Sequence, residues 1–214
     1  MTTTRLQIYN DALLLCGERS LSTLSDNVES RYLLDQVWTN GGINACLEEA
    51  QWFFAMRTQM IDYDTSITPQ FGYPRAFLKP SDWIRTSSLA ADEFFRMPLT
   101  RYVDEAGYWY SDVPTIYVRF VSNDANYGNN MSLWPQSFEE FVAVHFAWKV
   151  MLKLSTDENK KKEITDLRKH LLLVAKNMCA MAEATKFPPP GTWSISRQRG
   201  NNRRDRGNPG SLTG

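Results

Sequence analysis

Residues 137–155, SFEEFVAVHFAWKVMLKLS, restrict the architecture more than any other stretch of this chain. Phe138, Phe141, Val142, Val144, His145, Trp148, Val150, Met151 and Leu152 recur at helical spacing, yet together they cover most of a helix circumference. A surface helix needs one apolar stripe, whereas a helix apolar nearly all round must be enclosed by other elements. The segment therefore predicts a central helix, with Ser137 and Glu140 forming a capping box at its start.

Other helices must supply the enclosure. Over 3–16, Leu6, Tyr9, Ala12, Leu13 and Cys16 recur at three- and four-residue steps, and Gly17 is a natural stop. A short extended link carries Leu21 and Leu24. Ser25-Asp26, with Glu29, offers the next N-cap. Tyr32, Leu33, Val37, Ile43, Cys46, Leu47 and Ala50 then predict one long helix over 27–56. Gly41-Gly42 is its weak point, since each Gly costs about 1 kcal/mol against Ala in a helix. Trp52, Phe53 and Phe54 close the run as a core cluster. Thr156 or Asp157 caps a last helix over 157–185, with Ile164, Leu167, Leu171, Val174, Met178 and Met181 as its stripe. That length is more usual in bundles and assemblies than in ordinary domains.

Residues 57–134 change character. RTQMIDY (57–63) alternates as a strand does, and PRAFLKP (74–80) is extended because prolines bound it. Ser81-Asp82 predicts a cap for a short turn over 82–89. Strands are expected at 99–104, 108–111 and 115–121, the last being β-branched and aromatic TIYVRFV. Glu105-Ala106-Gly107 reads as a hairpin turn, Val113-Pro114 as a link and NDANYGNN (123–130) as a polar turn. The fold class is thus α+β and mainly helical. The expected architecture is a four-helix bundle of two N-terminal and two C-terminal helices, with a small inserted antiparallel sheet.

The last 28 residues differ from this body of 1–186. Residues 187–214 hold five of the eleven Gly and four of the ten Pro, a composition that cannot support a core and predicts an extended arm. The arm carries five Arg and one Asp. The whole chain balances 24 basic against 24 acidic residues, so a mildly acidic body is joined to a basic arm. The overall balance excludes a globally basic DNA packer and leaves self-association unopposed by net charge. Phe187, Trp193, Ile195 and Leu212 interrupt the arm and read as anchors. The candidate partner-binding set is Phe187, Trp193, Ile195, Arg197, Arg199, Arg203, Arg204 and Arg206, facing a partner protein or a neighbouring copy.

The residues suggest no chemistry. Cys16, Cys46 and Cys179 are odd in number and set among apolar residues, which predicts buried thiols in a reduced, cytosolic setting. Cys16 and His145 both lie in amphipathic runs and are read as packing, not as a nucleophile and base. Asp62/Asp64 and Glu139/Glu140 are pairs by adjacency alone, and acid in a first helical turn is explained by the helix dipole. Lys160, Lys161 and Lys162 are interleaved with acids as on a solvated face. There is no Walker loop and no G-x-G-x-x-G. No catalytic, cofactor or metal role is assigned to any residue. The N-terminus does not read as a signal peptide, and no apolar run approaches the ~20 residues that span a bilayer.

DALLLCGERSLSTLSDNVESRYLLDQVW, the EEAQWFFAMRT that follows, YPRAFLKPSDWIR opening the sheet, and two C-terminal helices together resemble the head-to-tail connectors of tailed bacteriophages. The likeness is to the tail-tubular-protein A adaptors of short-tailed phages. It spans roughly residues 5–185 and rests on the LCGE link, the acidic SDN and the Trp-Phe pair before the first strand. The resemblance implies a virion protein made in the host cytoplasm and forming a ring of twelve copies. Its partners would be its own copies, the portal protein, the tail nozzle protein and double-stranded DNA passing without sequence specificity. It implies no membrane and no enzyme activity. Residues 187–214 lie outside the resembling pattern. A nucleic-acid-binding module acting through the Arg-rich arm is the competing reading, with steep salt dependence as its mark. A wall hydrolase would need paired carboxylates in a cleft, which no spacing here predicts.

Overall fold

A computed structural model describes residues 3–69, 72–154 and 157–182. The fold is a mixed α+β one, with five α-helices and two small antiparallel sheets among the described residues.

Helix α1 (Arg5–Cys16) begins at Thr4, whose hydroxyl accepts from the Gln7 N–H at 3.3 Å. It ends at Gly17, left-handed at φ 75°. The link that follows is pinned by Asn10, whose amide donates to the Leu21 carbonyl and accepts from the Leu21 N–H at 3.1 and 2.7 Å. Asp26 does not cap the next helix. Its carboxylate accepts from the Ser22 and Thr23 N–H groups and closes the link on itself.

The single helix expected over 27–56 is broken. The structure has α2 (Glu29–Thr39), α3 (Gly42–Glu48) and a one-turn 3-10 helix at Phe53–Ala55. Gly41 sits at φ 79°, which reverses the chain at little cost only for glycine. Gly42 packs so closely that a Cβ there would lie 2.7 Å from the Val37 carbonyl oxygen and 3.1 Å from Phe146. The glycine pair is thus a built corner, which brings α2 and α3 separately onto the same neighbour. Trp52 and Phe54 are buried as expected, whereas Phe53 faces out.

Strands β1 (Met56–Asp62), β2 (Arg75–Leu78), β3 (Trp83–Ala90), β4 (Val103–Glu105), β5 (Tyr108–Ser111) and β6 (Thr115–Ser122) form two three-stranded sheets, ordered β1-β6-β3 and β2-β5-β4. One sheet was expected. The segment expected as a short turn over 82–89 is instead β3, paired to β6 with register shifts at Trp83/Arg85 and Thr86/Ser88. Those irregularities erase the strict alternation by which a strand is read. Asp82 holds its entry through an ion pair with Arg57 at 2.7 Å and a hydrogen bond from Ser122. The strand expected over 99–104 shrinks to β4. Its hairpin turn is as expected, with Ala106 and Gly107 both at positive φ. Phe77, Leu89, Trp109, Ile116, Val118 and Phe120 form a core for this insertion.

Helix α4 (Gln136–Leu154) is the axis of the main core, and α1, α2, α3 and α5 all pack on it. It starts one residue before Ser137, with the Pro135 carbonyl accepting from Phe138 and Glu139, so Ser137 lies inside the first turn. Phe138, Phe141, Val142, Val144, His145, Phe146, Val150 and Met151 are buried; Trp148 is half-buried and Leu152 is exposed. Helix α5 (Glu158–Met181) is capped by Asp157, which accepts from the Asn159 N–H at 2.9 Å. Its buried residues are Ile164, Ala175 and Cys179, not the whole expected stripe. That stripe follows a seven-residue repeat, which drifts ~20° per repeat round a straight helix. Met178 and Met181 therefore turn outward.

Candidate functional site

The two residues that could have made a nucleophile and base are bonded elsewhere. The Cys16 thiol points to the Ala147 carbonyl at 3.8 Å, and burial pushes it up to about 11. His145 Nδ1 accepts from Arg168 Nε at 3.1 Å, while its Nε2 is buried without a partner. Burial, then Arg168 and Lys149, push the imidazole down to about 4. Arg168 continues to Glu49 at 2.7 Å and lies over the rings of Trp148 and Phe141, at 5.2 and 5.7 Å. This polar chain ties the end of α3 to α4 and α5. All three cysteines are buried and none forms a disulfide among the described residues.

The carboxylate pairs have structural partners. Asp62 accepts from Thr115 at 2.7 Å, and Asp64 from both donors of Ser66. Glu139 accepts from Thr3, and Glu140 from Gln136 at 3.3 Å. On the other side of α1, Asp35 receives Arg5, Arg31 and the Tyr9 hydroxyl, locking α1 to α2. Burial raises the Tyr9 phenol, with the Arg5 contact acting against it and the Asp35 contact with it. Among the described residues no group of three or more His, Cys, Asp or Glu could hold a metal ion, and no helix is long and apolar enough to cross a membrane.

The surface of the helical layer is the remaining candidate. Leu14 is 77% exposed, Leu152 72% and Met181 78%. Leu14 and Leu15 border a groove of about 350 Å³, floored by Ala143 of α4 and bounded by Leu171 of α5. Asp11 and Glu140 stand on its rim. Burial and then the Glu140 charge raise the Asp11 carboxyl. At the far end of α4, Lys149 and Lys153 stand free of the core, beside Leu152. The arrangement offers apolar contact framed by charge, which is the chemistry of association.

The arm residues Phe187, Trp193, Ile195, Arg197, Arg199, Arg203, Arg204 and Arg206 lie outside the described residues. The groove and the α4 end were missed in the sequence. A signal existed for Leu14 and Leu15, because three consecutive leucines in ALLLC cannot share one helix face. Arg168 was also legible, since it falls four residues after buried Ile164 and seven before buried Ala175. No family model matches the chain, and no curated protein sequence matches it.

Proposed function

We propose that this chain is a structural connector subunit. Copies would form a ring between the portal and the tail nozzle of a phage particle and leave a channel for double-stranded DNA. The helices would act as a four-helix bundle, with α2 and α3 together counted as one arm of it. The sheet insertion would project from that bundle, and the C-terminal arm would reach the portal or a neighbouring copy. No bond is made or broken in this role; the work is burial of surface.

The observation that carries the reading is the exposure of large apolar side chains on three helices of the main core, Leu14, Leu152 and Met181. Large apolar side chains left out of a chain's own core supply surface for association, and in the ring a neighbouring copy would cover them. A stable contact of this kind buries roughly 1,600 Å².

The native mass of the purified chain over a concentration series tests it. A closed particle of about 300 kDa is expected for twelve chains of 24.7 kDa. A monomer at every concentration refutes it. Truncation after Lys186 tests the arm separately: a shortened chain that still joins heads to tails normally shows that the arm is not the anchor.

A further inference from the structure

We propose that a second copy of this chain docks on the Asp11–Glu140 groove through the end of its own α4, with Leu152 seated in the groove and Lys149 and Lys153 meeting the two carboxylates. The inference rests on the ring reading and names its contact.

Shape is the first argument. The groove is a hollow because its floor is Ala143, a small residue between the leucines of α1 and Leu171 of α5. Leu152 is the matching knob, projecting 72% exposed from the last turn of α4. Lys149 neighbours both Leu152 and Lys153 on the helix surface, at i+3 and i+4, so the three form one exposed ridge centred on Lys149. An apolar knob beside two cations faces an apolar hollow that carries two carboxylates.

Charge is the second argument. Neither Asp11 nor Glu140 belongs to an ion pair among the described residues. They repel each other at a partly desolvated rim, which an arriving ammonium group would relieve. Lys153 reaches Glu29 at 3.5 Å, but both side chains are well exposed and such pairs are weak and easily exchanged. Lys149 lies 5.1 Å from the Trp148 ring, a contact that leaves its hydrogen-bond donors available.

Position is the third. Groove and ridge occupy opposite ends of the same helix, about 16 Å apart along its axis at 1.5 Å per residue. Two different patches on one subunit give a head-to-tail contact, which repeats until it closes into a ring or runs on as a filament. The contact is therefore of the type a ring requires.

The experiment uses the full-length chain, with native mass followed by light scattering against concentration. Asp11→Lys with Glu140→Lys makes both patches cationic. Lys149→Glu with Lys153→Glu makes both anionic. Each double variant alone is expected to need at least about tenfold more protein to assemble, because like charges then face each other. An equimolar mixture of the two is expected to assemble as the wild type does, in alternating order. All four sites are exposed, and circular dichroism checks that each variant is folded. Either variant assembling at the wild-type concentration overturns the contact and leaves the ring reading standing. Failure of the mixture of folded variants to recover also overturns it, since the complementary patches are then present and do not suffice. A wild type that stays monomeric overturns both.

Discussion

His145 makes the main core acid-sensitive in a defined window. It is 2% exposed, and its pKa is held near 4, against about 6.5 for an ordinary imidazole. The folded chain therefore refuses a proton that the unfolded chain accepts. Stability is complete above pH 6.5, falls as pH drops, and stops falling from this group below about pH 4. At 1.36 kcal/mol per pH unit the full loss is about 3 kcal/mol. The groups facing the ring are Arg168 from α5, Lys149 from α4 and Glu49 after α3; the two cations act with burial and Glu49 against it. His145→Gln removes the titration while leaving an acceptor for Arg168 Nε. Urea unfolding of both chains at pH 7, 6, 5 and 4 gives the difference between them, from which the carboxylates cancel. That difference is expected to move by about 3 kcal/mol in favour of the variant between pH 7 and pH 4. A difference flat across the range would refute the reasoning.

Further expectations follow from the same contacts. Gly41→Ala should cost about 1–2 kcal/mol in urea unfolding, because φ 79° is strained for any side chain even though the nearest atom to the new Cβ is 3.8 Å away; an unchanged midpoint would remove the corner from the account. Phe141→Ala should cost about 3–5 kcal/mol, since the ring is fully buried between Trp52, Phe138 and His145. Lys79→Met should lose about 1 kcal/mol by removing an ammonium 3.6 Å from the Trp83 ring centre, its tie to Asp104 going with it. In the folded chain the thiols should react with a disulfide reagent only slowly at pH 8, where a Cys16 thiol at about 11 is roughly one part in a thousand thiolate; a rapid burst from native protein would contradict the burial.

Much of the fold was legible because helix periodicity and capping are local. Thr4 to Gly17 and Asp157 to Met181 declare themselves within a few residues of each boundary. What failed was set by distant partners. Gly41-Gly42 carries equal weight in a sequence as a tolerated weak point and as a corner; the left-handed φ of 79° at Gly41 makes it a corner, and at Gly42 a Cβ would meet the Val37 carbonyl oxygen at 2.7 Å and Phe146, a hundred residues on, at 3.1 Å. Trp83–Ala90 reads poorly as a strand because its two irregularities are imposed by pairing with β6, and the ordering of six short strands into two sheets has no local trace at all.

The mismatch on α5 carries further than its size suggests. Its apolar residues keep a seven-residue repeat, while the fold buries Ile164, Ala175 and Cys179, eleven and four residues apart, a line that drifts the opposite way round the helix. A repeat of seven is kept when a seam faces a partner along its whole length. Here the seam leaves the core before it ends, and Met178 and Met181 come out on the surface. The same holds for Leu14 beside buried Leu13, and for Leu152 beside buried Met151. In each case an apolar residue sits where the chain's own core has no use for it, and each lies at or near the end of a helix packed in the main core. In the proposed ring these residues toward the helix ends are the ones a second copy would cover, with Leu173 in mid-α5 the exposed exception.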